Sequence, residues 1–112
     1  MSKTFFLYLS PNNDENGVWT GANKDINRLV VKELELSALK FLPISAHDVV
    51  QTPMLDVFGN SLAGYREIAA FASQRPNTQL AETSPKYYKE VVAERDKLRR
   101  KLGYDKSSRV AV

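Results

Sequence analysis

The chain has 112 residues, 43% of them hydrophobic and 26% charged, which is the make-up of one globular domain with no room for two ordinary ones. It has no cysteine and one histidine. That excludes a disulfide framework, thiolate metal sites, cysteine nucleophiles and any multi-histidine metal site within one copy. The net charge of +3 is carried unevenly. Residues 1–84 hold seven Lys/Arg against nine Asp/Glu, a net of −2, and residues 85–112 hold nine against four, a net of +5. Any electrostatic argument about partners therefore concerns the last quarter of the chain.

Residues 4–9 read as a strand dense in Phe, Leu and Tyr, with apolar residues on both faces, ended by Ser10-Pro11. The apolar run Phe5–Leu9 is five residues long. A membrane span needs about 20 and a signal-peptide core about 7 to 15. A soluble, cytoplasmic protein that does not engage membranes is expected. The polar stretch 12–17 ends in Asn16-Gly17, a pair suited to a tight turn, and Val18-Trp19-Thr20 reads as a short returning strand. Ile26, Val30, Leu34 and Ala38 recur at helical spacing, so a helix is expected over 25–36, capped by Asn23 or Asp25. The alternation Glu33-Leu34-Glu35-Leu36 leaves a strand open near 36–42, and Pro43 is expected to end whichever element precedes it.

Between 44 and 58, Met54-Leu55 and Val57-Phe58 are expected to fill core, with Val49-Val50 as a brief strand. Asn60 or Ser61 then caps a second helix whose stripe is Leu62, Tyr65, Ile68, Ala69 and Ala72, with Gly64 inside it. Residues 77–83 read as a polar connection. The strongest local signal follows: Ser84 as cap, Pro85 at the first helical position and Gly103 after the last periodic residue, predicting a helix over 85–102. Residues 1–104 form the expected domain and 105–112 a tail.

Candidate chemistry is sparse. Asn12, Asp14, Asn16 and Gly17 match the first half of a calcium loop, but the twelfth position is Asn23 instead of the bidentate glutamate. Ser45, His47 and Asp48 lie too close in sequence to line up as a catalytic triad. Gly59–Gly64 lacks the lysine and hydroxyl residue of a phosphate loop. Glu33 and Glu35 cannot share one helix face. No catalytic residue, metal or cofactor is expected, and the chain reads as non-enzymatic.

The remaining candidate is a binding surface. On the last helix Tyr88, Val91, Leu98 and Leu102 form a short apolar seam interrupted by Arg95. Around it lie Lys86, Lys89, Lys97, Arg99, Arg100 and Lys101, beside Tyr87 and Tyr88. A solvated amphipathic helix supported by Glu94–Lys97 and Asp96–Arg100 pairs explains this pattern. So does a docking or dimerising helix, and so does a phosphate-binding face with stacking tyrosines. The fold class expected is α+β: one small domain, an N-terminal strand or hairpin packed with two to three helices, ending in a basic amphipathic helix. The function expected is protein–protein interaction, as a regulator, adaptor or inhibitor, through Trp19, Tyr87, Tyr88, Arg95, Lys97, Arg99, Arg100 and Lys101. The alternative is nucleic-acid binding by the same helix, and homodimerisation through it is a third arrangement.

Overall fold

The computed structural model describes residues 4–9, 24–45 and 52–104. Strand β1 (Thr4–Leu9) forms where the sequence places it. Its side chains alternate: Phe5, Leu7 and Leu9 are buried, and Thr4, Phe6 and Tyr8 point the other way. Helix α1 (Lys24–Glu35) matches the helical spacing, with Leu29, Val30 and Leu34 fully buried. It leads to strand β2 (Lys40–Ser45), which lies parallel to β1 with Phe5 opposite Phe41 and Phe6 opposite Leu42. Pro43 therefore does not end the preceding element, as the sequence suggests, but sits within β2. The strand is at the sheet edge, where a residue without an N–H can face away from the ladder.

The second correction concerns residues 60–64. Asn60 and Ser61 do not cap a helix. Strands β3 (Met54–Val57) and β4 (Asn60–Ala63) form an antiparallel hairpin, completing a four-stranded sheet in the order β2-β1-β3-β4. The hairpin turns at Phe58 and Gly59, both with positive φ (51° and 85°), the backbone that a tight two-residue turn requires. Gly64 is not inside the helix but immediately before it, at φ 89° and ψ 158°, a conformation open almost only to glycine. Helix α2 (Tyr65–Ser73) then buries Tyr65, Ile68 and Ala72.

The stretch predicted as a polar connection contains a short helix, α3 (Thr78–Thr83), whose first turn is capped by Asn77 Oδ1 accepting from the Leu80 N–H at 2.9 Å. Helix α4 (Pro85–Leu102) has the predicted ends, with Gly103 left-handed at φ 83°.

One core unites these elements. Phe5, Leu7, Leu9, Leu55 and Val57 of the sheet cluster with Leu29, Val30 and Leu34 of α1, Tyr65, Ile68 and Ala72 of α2, and Leu98 of α4. All of these sheet residues point to one face, so the described helices pack on one side only. The result is an α+β domain with an N-terminal strand and a C-terminal helix, as predicted, but with four helices among the described residues instead of two or three. Of the residues expected to fill core, Leu55 and Val57 do so. Met54 lies on the opposite sheet face, and Phe58 is 65% exposed at the turn, touching Phe5 edge-on at 5.3 Å between ring centres.

Candidate functional site

The face of the sheet opposite the described helices is built by strand alternation. Its first row holds Lys40 and Thr4, its second Leu42, Phe6, Asp56 and Ser61, and its third Ile44, Tyr8, Met54 and Ala63. Phe6 and Leu42 are neighbours in register, 42% and 50% exposed, and the third row is wholly apolar or aromatic. A central strand with one face packed and one face wet normally carries polar residues outward. Here the outward positions of β1 and β2 are Thr4, Phe6, Tyr8, Lys40, Leu42 and Ile44. The charged residues of the three rows are Lys40 and Asp56, and neither makes an ion pair with the described residues. Sequence reasoning missed this surface. Apolar residues on both faces of β1 lead to the expectation of a central or well-covered strand; β1 is central, between β2 and β3, but no described helix lies on its outer face.

The expected partner residues on α4 are divided between contacts inside the domain and the solvent side. Val91 and Leu98 of the apolar seam are buried inside the domain, while Leu102 at its end is 36% exposed. Tyr88 and Arg95 are half-buried beside it. Arg95 pairs with Asp96, Lys101 with Asp25 at 2.8 Å, and Arg99 with Glu33 at 2.6 Å. Tyr87 is 43% exposed, and its hydroxyl donates to Glu35. The within-helix pairs expected to support α4 do not form: Glu94 pairs with Arg28 of α1, and Asp96 with its neighbour Arg95. For Glu94 the partner comes from α1, and for Asp96 it is the adjacent residue of α4 itself. Lys97 and Arg100 remain on the solvent side, with Lys86 and Lys89. Trp19, His47 and the calcium-loop residues Asn12, Asp14, Asn16 and Gly17 lie outside the described residues, as do Val49 and Val50.

Glu33, Tyr65 and Arg99 meet where α1, α2 and α4 converge. The Tyr65 hydroxyl donates to Glu33 Oε2. Arg99 donates to the same oxygen from Nε at 2.8 Å and Nη2 at 2.6 Å, and from Nε to the Tyr65 oxygen at 2.9 Å. Glu33 and Tyr65 are each only 6% exposed. Three polar side chains on three helices thus meet at one oxygen of the Glu33 carboxylate. Burial, then the Glu33 carboxylate, push the Tyr65 phenol far above its ordinary range, against the smaller opposing effect of Arg99.

The sign of the consequence follows from linkage. A phenol that keeps its proton in the folded state but loses it near pH 10 when unfolded stabilises the fold below pH 10 and progressively less above it. Tyr87, also raised by its bond to Glu35, works in the same direction. Chemical denaturation between about pH 9 and 11.5 is expected to show stability falling more steeply in the native protein than in Tyr65→Phe. Parallel profiles would show that the phenol does not feel this site.

Asn27 of α1 is 1% exposed, and neither of its amide atoms has a hydrogen-bond partner among the described residues. Such a group costs about 1–3 kcal/mol. A shallow groove between α1 and α4 is lined by Arg28, Lys32, Tyr87, Glu90, Val91 and Glu94. Arg28 pairs there with Glu94, and Lys32 with Glu35 at 3.4 Å, so most of its charge is already balanced. Among the described residues no helix is long and apolar enough to cross a membrane. Comparison with protein-family models, curated proteins and solved structures finds no match for this chain.

Proposed function

We propose that this protein is a non-enzymatic, cytoplasmic binding module that acts by protein–protein interaction, and that it docks through the open face of its sheet. The observation that supports this reading is the pair Phe6 and Leu42, adjacent in register and about half exposed on a face that no described helix covers. Exposed apolar side chains that adjoin in this way form the kind of patch that marks an interaction surface. The absence of cysteine and the hydrogen bonds received by Glu33 are compatible with a non-catalytic intracellular role.

The alternative, nucleic acid laid along α4, is supported by Lys86, Lys89, Lys97 and Arg100, none of which is engaged in an ion pair with the described residues. It is weakened by the use of Arg95, Arg99 and Lys101 in ion pairs and of Tyr87 in a bond to Glu35.

A photoreactive side chain in place of Leu42, in the cell of origin, separates the two readings. A discrete protein adduct is expected from position 42 and none from the same group at Lys89. Adducts to nucleic acid from position 89, with none from 42, would replace the reading with its alternative. No adduct at either position would sink both.

A further inference from the structure

The open face is itself charge-balanced: Lys40 stands at one corner and Asp56 near the middle. A face with one cation and one anion, neither in an ion pair with a described residue, is complementary to a copy of itself. We propose that the partner of this face is a second copy of the chain, in a two-fold dimer in which Lys40 of each protomer meets Asp56 of the other. This deepens the reading above and rests on it.

The geometry can be worked out from the strand register. In a two-fold pairing the same patch faces itself, and the axis lies in the plane between the two faces. Lys40 and Asp56 are two strands and two residues apart in register. On an ideal sheet lattice of about 4.8 Å between strands and 3.4 Å per residue, that is roughly 12 Å. The axis that exchanges them runs between Thr4 and Phe6 and past Leu42, within about 2 Å of each on the same lattice. The arrangement that joins the charges therefore also stacks the most exposed apolar side chains of the sheet at the centre of the contact. An apolar centre with a polar margin is the usual anatomy of an interface.

Other occupants fit less well. A nucleic acid would meet Asp56 and only one cation. A membrane surface would require Asp56 to be desolvated without a partner. In size, four strands about 19 Å wide and at most six residues, about 20 Å, long cover no more than about 400 Å² per copy, about half of the roughly 800 Å² typical of specific partners. A reversible dimer is the expected result.

The test is sedimentation equilibrium of the full chain between about 1 and 500 μM at low and moderate salt. The mass is expected to rise with concentration from 12.6 kDa to twice that value. Lys40→Glu and Asp56→Lys are each expected to raise the dissociation constant about tenfold or more, since each places like charges opposite one another twice per dimer. The double exchange, Lys40→Glu with Asp56→Lys, is expected to restore dimerisation. Leu42→Lys is expected to abolish it, with thermal melts confirming that each variant folds.

Three results would overturn the inference: a monomer throughout the range, a dimer indifferent to Leu42→Lys, or single reversals that the double exchange does not rescue. A monomer in solution together with a Leu42 adduct to a different protein in cells would remove this inference while leaving the proposed function intact. No adduct and no dimer would remove both.

Discussion

Replacing Glu33 with alanine is expected to lower the stability of this protein by about 2–4 kcal/mol, measured by urea or guanidinium denaturation at neutral pH. The substitution strands two donors at once, one buried on Tyr65 and one part-buried on Arg99. The Tyr65 hydroxyl loses its acceptor, and the Arg99 guanidinium loses the carboxylate that receives two of its N–H groups. Breaking a buried pair from one side costs about 3–5 kcal/mol because the remaining charge is left without compensation. The Arg99 side chain retains 23% exposure, and water can reach part of it, which reduces the figure. Glu33→Gln keeps an acceptor oxygen and is expected to cost less than the alanine variant. Removing the whole group together, as Glu33→Leu, Tyr65→Phe and Arg99→Met, is expected to fall within about 1–2 kcal/mol of the native protein. If Glu33→Ala costs less than about 1 kcal/mol, the three-helix junction is not held by this cluster.

The second large effect separates the two sides of the sheet. Leu7→Ala is expected to cost about 3–4 kcal/mol, and Phe6→Ala, one residue away, less than about 1 kcal/mol of monomer stability. Leu7 is fully buried at the centre of β1, between the helices and β3, so truncation leaves a cavity with little scope for collapse. Phe6 is the larger side chain but remains 42% exposed, and its removal opens no cavity in the core. Denaturant titrations of the two variants at low protein concentration, where association does not contribute, would measure the difference. Comparable losses would mean that the outer face is packed as firmly as the inner one. That would remove the physical basis for a docking surface there.

The two halves of the chain were unequally readable. In α4 each signal is local: Pro85 can only open a helix, Gly103 accepts the left-handed backbone, and the apolar spacing between them is helical. In 60–64 the local signals mislead. Asn60 and Ser61 resemble caps, and Leu62, Tyr65, Ile68 and Ala72 share a stripe. Yet Leu62 belongs to a strand paired with Leu55, and the helix begins only after Gly64. Four residues are too few for period two and period 3.6 to be told apart, and pairing with β3 decides between them. Pro43 misleads in the same way, because its tolerance depends on β2 being an edge, a property of strand order and not of its neighbours in sequence.

By itself the sequence determined the α+β class, the first strand, α1, both ends of α4 and the concentration of positive charge in the last quarter. These follow from side-chain period, proline and glycine geometry and simple counting, all short-range properties. Only the tertiary structure decided which charges are spent and which surface is left open. Glu33, Tyr65 and Arg99 lie more than thirty residues apart in sequence and meet because three helices converge. Two cations of the basic helix, Arg99 and Lys101, turned out to pair with α1, while the apolar outer face of β1 and β2 turned out to have no described helix against it. Ion pairing and burial depend on distance in space, and a chain of alternating apolar residues looks the same whether its second face is covered or bare.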